Sequence, residues 1–254
     1  MATGRTVKRF TRVYIDGYDM SGYTREIGPL TWEYPEVEQV ALLDAVKGAL
    51  LDIPNINIGT LNGVFDNTAT SGIHAVLGTA GVARNAMVPI GIQADPAAGD
   101  IVFVANVNES GYQIAPSGGD IVLTAPFTST PPTSSMLYEK PWGVLLHALS
   151  AGTGANTGTG IDNGAATTAG GFLMYQITAV AGTGTATISI DDSANNSTWL
   201  ALSGATSGAI AHTAMPCAGI VQLSKTATVR QYLRWQLALT GITSVTFALA
   251  FVRG

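Results

Sequence analysis

The sequence predicts a mainly β protein: a β-sandwich or barrel with one short α-helix, followed by a second β-sandwich of jelly-roll or immunoglobulin-like kind. Short segments alternate apolar and polar residues between Gly, Pro, Asn and Asp, the pattern of half-buried strands joined by turns. One segment alone has helical spacing. Charged residues are only 11% of the 254 residues, against about 25% in typical globular chains. Partners or small polar residues must therefore cover much of the surface.

The first half reads as a run of strands. Gly17 interrupts the first of them, and Asp19, Ser21 and Gly22 are turn residues that bond their own backbone or accept a positive φ. Gly28-Pro29 separates the next two strands. The expected strands are Thr11–Asp16, Tyr23–Ile27, Leu30–Val37, Asn55–Phe65, Ile73–Leu77, Met87–Gln93, Asp100–Asn108, Ser110–Ile114 and Asp120–Pro126. This order is typical of a sandwich or open barrel.

A helix is predicted over Val40–Leu51. Val40, Leu43 and Val46 recur near the i, i+3, i+4 spacing of one helical face, and Pro54 ends the segment. One short amphipathic helix is not stable alone in water. We therefore expect it to lie on the sheet.

A domain boundary is predicted near residue 136. The segment Thr128–Ser135, TSTPPTSS, reads as a linker that Pro131-Pro132 stiffens. The charge changes at the same place. Residues 1–136 hold seven basic and thirteen acidic residues, a net charge of −6, and residues 137–254 hold five and four, a net charge of +1. We therefore expect domains 1–136 and 137–254, the first with an N-terminal arm.

The second half predicts another sandwich. Its low-complexity stretch, Ser150–Gly171, separates the first strand from the others. Gly241–Thr243 is expected to turn a hairpin between the last two strands. The expected strands are Leu137–Leu149, Phe172–Val180, Thr183–Asp191, Thr198–Leu202, Ile220–Leu223, Gln231–Thr240 and Val245–Val252.

The residues give no sign of an enzyme, a cofactor or a metal site. His74, His147 and His212 lie far apart in the sequence, and a metal site needs clustered ligands. Cys217 stands alone beside apolar residues and reads as a small core residue. Neither glycine-rich phosphate-binding motif is present. We therefore expect a non-enzyme without a cofactor.

Two polar clusters leave alternatives open. DDSANNST at 191–198 either holds a cation through oxygen ligands or, as we favour, is a turn between strands. Arg230, Tyr232, Arg234 and Trp235 either bind nucleic acid, sugar or a neighbour's carboxylates, or pack within the chain through cation–π contacts, which we favour.

Two motifs carry a resemblance to a known family. DGYDMSGYTREIGPL at Asp16–Leu30 and NIGTLNGVFD at Asn57–Asp66, with a helix between them, resemble the major tail tube proteins of long flexible-tailed bacteriophages. GTATISIDDSANNSTWLAL and the final VRQYLRWQLALTGITSVTFALAFVRG look like a β-sandwich found at the C-terminal end of phage virion proteins. The resemblance implies a tail-tube-like first domain and an added second one.

The resemblance also implies how such a chain would work. Tube subunits form stacked hexameric rings, each adding strands to a continuous barrel around the channel through which DNA is ejected. A long hairpin or loop and the N-terminal arm reach the next ring. The subunit-interface candidates are Arg9, Arg12, Asp19, Tyr23, Arg25, Leu43 and Val46. The outer-surface binding candidates are Trp199, Arg230, Tyr232 and Arg234.

The expected partners are copies of the chain and other virion proteins, while DNA passes without specific binding because an acidic lining repels phosphates. The basic start MATGRTVKRF has no apolar stretch after it, so we expect no signal peptide and no membrane insertion. The resemblance further implies assembly in the host bacterial cytoplasm and location in the virion tail. The alternatives are a capsid decoration protein and a carbohydrate-binding module that uses Trp199, Tyr232 and Trp235.

Overall fold

Antiparallel strands make up most of the chain. The computed structural model describes residues 6–39, 48–129 and 140–254. The first half contains β1 (Tyr14–Ile15), β2 (Tyr18–Asp19), β3 (Thr24–Gly28), β4 (Thr31–Glu33), β5 (Glu36–Gln39), β6 (Gly48–Leu51), β7 (Asn55–Asn57), β8 (Thr60–Val64), α1 (Ile73–Leu77), β9 (Ala83–Ile90), β10 (Ile101–Glu109), β11 (Gln113–Ser117) and β12 (Asp120–Ser129). The second half contains β13 (Trp142–Thr153), β14 (Asn156–Thr157), β15 (Ile161–Asp162), β16 (Gly171–Ser193), β17 (Leu200–Thr206), β18 (Ile210–Ala211), β19 (Cys217–Gln222) and β20 (Tyr232–Arg253). The predicted mainly β class is confirmed.

Sixteen of the described strands form one sheet. Its main path runs β17-β16-β20-β13-β10-β12-β8-β3. The two halves of the chain meet where β10 pairs with β13 and Phe103 lies opposite Trp142. In the second half, β16 and β20 pair along their whole length, from Gly171 opposite Arg253 to Ser193 opposite Tyr232. No helix within the described ranges is long and apolar enough to cross a bilayer.

Each half buries its own apolar cluster, and a third cluster joins them. Phe103 and Leu123 belong to the first-half cluster, and Phe247 lies in the second-half cluster. The joining cluster packs residues of the first half, such as Met87, against residues of the second, such as Phe172. The domain boundary near residue 136 stays a prediction, because residues 130–139 lie outside the described part.

The predicted helix is wrong where the structure describes it. Residues 40–47 lie outside the described ranges, but Gly48–Leu51 form strand β6 and pair with Glu36–Gln39. The helix instead covers Ile73–Leu77, which the sequence predicts as a strand, and it buries Ile73, Val76 and Leu77. A five-residue apolar segment fits either period, so the tertiary packing decides between helix and strand.

The predicted hairpin at Gly241–Thr243 is also wrong, because β20 continues through it. Gly241 has a φ of +76°, and a Cβ there would lie 2.3 Å from the carbonyl oxygen of Thr183 on β16. The register between β16 and β20 shifts beside this contact. Glycine at this point therefore permits irregular pairing within a long strand, rather than a reversal of the chain.

A two-stranded arm extends from the first half. β4 pairs with β7, and β5 pairs with β6, so that Thr31 lies opposite Asn57 and Gln39 opposite Gly48. These ladders are separate from the large sheet. Ile56 packs against the first-half cluster and anchors the base. We call residues 31–57 the hairpin arm.

A glycine turn fixes the junction between the halves. Gly17, at a φ of +85°, lies so close to β19 that a Cβ would be 2.3 Å from the backbone nitrogen of Cys217. The Gly17 N–H donates to Oε1 of the buried Gln176 at 2.7 Å. Nε2 of Gln176 donates to the carbonyl oxygen of Asn85 at 2.9 Å. One buried amide thus links two segments of the first half to β16.

We expect Gly17→Ala to lower the free energy of unfolding by about 2–4 kcal/mol, because the new Cβ adds backbone strain and an overlap with β19. Gly22→Ala, in the next turn along the chain, is the matched control, since no atom lies within 4 Å of its added Cβ. Urea denaturation of both variants measures the difference. Equal stabilities for the two variants would contradict this account of the junction.

Candidate assembly surface

The hairpin arm exposes apolar and acidic side chains together. Its large exposed apolar residues are Trp32, Val37, Leu50, Leu51 and Ile53, with Leu51 67% and Ile53 66% exposed. Residues 31–57 also hold five carboxylates and one lysine, a net charge of −4. Val37 lies opposite Leu50 on the paired strand, so two of these exposed apolar side chains are neighbours. Exposed apolar side chains that cluster on a surface are typical of an interaction site.

A basic pocket lies at the base of this arm. It has a volume of about 420 Å³, and Leu30, the residue before the arm, is part of its wall. Its floor is partly apolar, with Ile27 and Ile90. Its charged residues are Lys8, Arg9, Arg12, Arg25 and Glu26. We call this site the basic pocket.

Local contacts hold the cations of the basic pocket in place. Arg12 pairs with Asp95 and Arg25 pairs with Asp120, both at exposed positions. Nη1 of Arg12 also donates to the carbonyl oxygen of Arg9 at 2.8 Å. The Arg9 guanidinium lies 4.5 Å from the centre of the Phe10 ring. Within the described residues, Lys8 and Arg9 contact no carboxylate, so their charges are available to a partner.

The structure brings three of the predicted interface residues together and separates the others. Arg9, Arg12 and Arg25 line the basic pocket. Asp19 accepts the N–H of Ser21 at 2.9 Å within its own turn. Tyr23 is half-buried against the first-half cluster. Leu43 and Val46 lie outside the described residues.

Sequence reasoning missed Lys8 and the exposed apolar side chains of the arm. The repeat of cations at Lys8, Arg9 and Arg12 was the available signal for the first. Leu50 and Leu51 end the predicted helix Val40–Leu51, which was expected to lie on the sheet, so their exposure on a strand was not expected.

The arginines of the second half are paired within the chain. Nη2 of Arg234 donates to Oδ2 of Asp191 at 2.8 Å, and its guanidinium lies 4.5 Å from the Trp199 ring centre. Nη1 of Arg230 donates to Oδ1 of Asp192 at 2.8 Å. Tyr232 lies opposite Ser193 on β16. Binding at this surface stays a prediction.

The same ion pairs engage the carboxylates of Asp191 and Asp192, the residues considered as cation ligands. Both carboxylates are nearly buried and accept from arginines, and Gln236 also donates to Asp191. Arg230 engages Asp192 twice, through its side chain and through its backbone N–H at 2.9 Å. In residues 6–39, 48–129 and 140–254, no three His, Cys, Asp or Glu residues are placed to hold a metal ion.

Each of the three histidines has its own local contacts, and Cys217 is half-buried. Nδ1 of His74 contacts the Tyr112 hydroxyl at 2.5 Å, and the Gly184 N–H donates to His212 at 3.1 Å. Burial raises the pKa of the half-buried Cys217 thiol. His147 stacks on Phe247 with ring centres 4.0 Å apart, and the Trp235 ring meets it edge-on. These are packing positions.

His147 gives the protein a pH dependence. Burial lowers its pKa below the ordinary value of 6.5, opposed by its hydrogen bond with the Phe247 carbonyl. The folded state therefore holds fewer protons than the unfolded state, and the stability gained from neutral His147 is lost as the pH falls below about 6.5.

We expect His147→Phe and His147→Gln to flatten the fall in unfolding free energy between pH 7 and pH 5, because neither replacement titrates. Chemical denaturation at each pH, relative to the unsubstituted chain, measures this change of slope. The two variants are each other's control, since they differ in packing and share the loss of the titrating group. Slopes that match the unsubstituted chain would contradict the prediction.

Comparison with known proteins identifies no family for this chain. No protein-family model matches the sequence, and no curated protein matches it. Among solved structures, the chain is similar to the crystal structure of SPP1 Dit (gp 19.1), described as a paradigm of the hub adsorption apparatus in phages that infect Gram-positive bacteria. The TM-score is 0.34 at 10% identity, over 96% of this chain and 99% of that one. A similarity of this size carries no argument about architecture or role.

Proposed function

We propose that this chain is a structural protein of a bacteriophage tail, and that its copies assemble into stacked rings forming the tail tube. The hairpin arm is the observation on which the proposal depends. It exposes Leu50 and Leu51 on β6, which is separate from the large sheet, and Ile53 just after that strand. Burying one such side chain stabilises a contact by about 1.5–3 kcal/mol, so contact between copies has a clear source of free energy.

Two strand edges that have no partner among the described residues also support assembly. The main path of the sheet ends at β17 on one side and at β3 on the other. An unpaired edge is a template for pairing with another chain, and a closed ring of copies removes it. Only 11% of the residues are charged, so charge repulsion gives little protection against pairing between such edges.

The placement of the resemblance motifs supports the tail tube in particular. DGYDMSGYTREIGPL forms β2, the following turn and β3, and NIGTLNGVFD spans the end of β7 and all of β8. β3 and β8 then pair, with Ile27 opposite Leu61. The two motifs are therefore neighbours in one sheet, on either side of the hairpin arm.

The channel would carry DNA without binding it. Residues 1–136 have a net charge of −6, and like charge along a channel wall repels phosphates. In this arrangement the first half lines the channel in hexameric rings, and the second half lies outside.

Negative-stain microscopy and analytical ultracentrifugation of the purified chain test the proposal. We expect rings or tubes whose abundance rises with protein concentration. Leu50→Ser/Leu51→Ser on the arm should abolish them. Ile101→Ser is the matched control, because Ile101 is 49% exposed on β10, which pairs with β9 and β13 and is not an edge of the sheet. Monodisperse monomers of the unsubstituted chain at high concentration would overturn the proposal.

Immunogold labelling of virions that contain the chain separates a tail protein from a head protein. Label along the length of the tail is the expected result. Label on the head would move the chain to the capsid-decoration class and leave self-assembly itself in place.

A further inference from the structure

We infer that the basic pocket binds a small anionic amphiphile, a molecule with one negatively charged head group and an aliphatic body. The inference goes beyond the proposed function and does not depend on assembly. The volume of the pocket, about 420 Å³, lies within the range of about 300–1,000 Å³ that is usual for small-molecule sites. Its lining combines apolar side chains with four cations. A cavity of this composition can hold a ligand that is itself part apolar and part charged.

The apolar part of the lining can receive an aliphatic chain. It consists of Val13, Ile27, Leu30 and Ile90. Val13 is buried, and the other three are half-buried, so some of their apolar surface is open to the cavity. A hydrocarbon chain that covers this surface removes it from water, which favours binding.

Lys8 and Arg9 supply the charge that a head group needs. Within the described residues neither contacts a carboxylate, whereas the other two arginines of the pocket have aspartate partners. The Arg9 guanidinium lies 4.5 Å from the centre of the Phe10 ring. An ammonium and a guanidinium both form charge-assisted hydrogen bonds with carboxylate, sulfate or phosphate oxygens, and such bonds are stronger than neutral ones.

The carboxylates around the pocket favour a ligand with a single negative charge. Glu26 is part of the lining, and Asp95 and Asp120 pair with Arg12 and Arg25. These three carboxylates and the four cations of the pocket leave a net charge of +1. A monoanion neutralises this excess, whereas the second charge of a dianion is repelled by the nearby carboxylates.

Hydrogen bonds hold the walls of the pocket in place before a ligand enters. The Arg12 N–H donates to the carbonyl oxygen of Pro89 at 3.0 Å, and the Val13 N–H donates to Oγ of Ser21 at 2.9 Å. The N-terminal wall is therefore joined to β9 on one side and to the turn before β3 on the other. Because the walls are fixed, little of the binding free energy is lost in ordering the protein.

Isothermal titration calorimetry of the full chain with sodium octanoate at pH 8 tests the site. We expect saturable binding of one octanoate per chain. Octanol has the same chain length without the charge, and it should bind at least about tenfold more weakly because it forms no charge-assisted bond with Lys8 or Arg9. Acetate has the charge without the chain, and it should give no saturable binding because it covers almost none of the apolar lining.

Substitutions locate the binding in this pocket. Lys8→Gln/Arg9→Gln removes the two available cations and should raise the Kd for octanoate at least about tenfold. Lys140→Gln/Lys225→Gln is the matched control, because it removes the charges of two exposed lysines of the second half, and it should leave the Kd unchanged. Glu26→Gln should tighten the binding of octyl phosphate, a dianion at this pH, more than that of octanoate, because it removes a like charge.

Four outcomes would overturn the inference: no saturable binding of octanoate, equal affinity for octanoate and octanol, an unchanged Kd in Lys8→Gln/Arg9→Gln, or an equal gain for both ligands in Glu26→Gln. Sedimentation velocity measures assembly separately. Normal assembly without octanoate binding would therefore contradict this inference alone, and octanoate binding by a chain that stays monomeric would contradict only the proposed function.

Co-sedimentation with vesicles identifies the source of the ligand. Vesicles of phosphatidylcholine with phosphatidylglycerol present anionic lipid, and vesicles of phosphatidylcholine alone are the control. Binding to the anionic vesicles that is lost in Lys8→Gln/Arg9→Gln would support the inference and identify a membrane lipid as the ligand. Octanoate binding without vesicle binding would support it with a free amphiphile as the ligand.

Discussion

Replacing Arg84 by methionine is expected to lower the free energy of unfolding by about 3–5 kcal/mol, the cost of removing one partner from a buried ion pair. Arg84 is the cation of a partly buried triad in which the Glu109 side chain is fully buried. Nη2 of Arg84 lies 2.8 Å from Oε2 of Glu109, and its Nη1 lies 3.2 Å from Oδ2 of Asp16. Without the guanidinium, Glu109 would be an uncompensated charge in the interior.

The carboxyl group of Glu109 makes the loss depend on pH. Burial raises its pKa, and Arg84 opposes this rise. Without Arg84 the pKa should rise further. A raised folded-state pKa means that stability is fully present below the unfolded value and is lost as the pH increases through the folded value. The penalty of Arg84→Met should therefore be larger at pH 7 than near pH 4.

Chemical denaturation at both pH values measures the effect. Arg84→Met/Glu109→Gln should recover much of the loss, because the second change removes the buried charge. Arg25→Met is the matched control: Arg25 and Asp120 are 44% and 55% exposed, and an exposed pair contributes only about 0–1 kcal/mol. If Arg84→Met lowered the free energy of unfolding no more than Arg25→Met does, the buried Glu109 side chain would not need Arg84 for its stability.

Phe247→Ala is expected to cost about 3–5 kcal/mol, the range for truncating a buried aromatic side chain. Phe247 is fully buried on β20, between β13 and β16. It stacks on His147, and its ring centre lies 5.5 Å from that of Trp235. Truncation to alanine removes the ring that contacts His147 and Trp235, and it leaves a cavity within the second-half cluster.

Thermal denaturation and Trp fluorescence report this loss. Leu200→Ala, at an exposed position, should change stability by no more than about 0.5 kcal/mol. The cavity should also admit water to His147, so the pKa of its imidazole should return toward 6.5, its ordinary value. A loss of unfolding free energy below about 1.5 kcal/mol in Phe247→Ala would contradict this expectation. A loss that small is typical of volume-conserving core substitutions, and it would mean that the surrounding side chains fill the cavity.

The sequence predicted strands well where alternation and turn residues agreed. Asp100–Asn108 became Ile101–Glu109, and Asp120–Pro126 became Asp120–Ser129. It failed at short apolar segments such as Ile73–Leu77, where period alone does not separate helix from strand. The prediction also divided β16 and β20 into shorter strands at glycines. The glycine at 241 instead allows two paired strands to approach closely, and this approach cannot be recognised from either segment alone.

The candidate site was predictable only in part. Arg9, Arg12 and Arg25 were interface candidates through the resemblance to tail tube proteins, and the structure places all three at one pocket. The contribution of Ile90 to the same pocket depends on β9, more than sixty residues later in the sequence. Arg84 reaches Asp16 over 68 residues. No local pattern marks a contact of that kind, since only the folded sheet brings its members together.

The position of β20 between β13 and β16 has a consequence for synthesis. β20 is the last of the described strands to leave the ribosome, yet it lies between two strands made earlier. At about 5–20 residues per second, the 38 residues between Ser193 and Tyr232 keep β16 waiting for roughly 2–8 s. During that interval the edge of the 23-residue strand β16 that later pairs with β20 has no partner strand. Chaperone protection and slow translation should then govern how much of this polypeptide matures and how much precipitates.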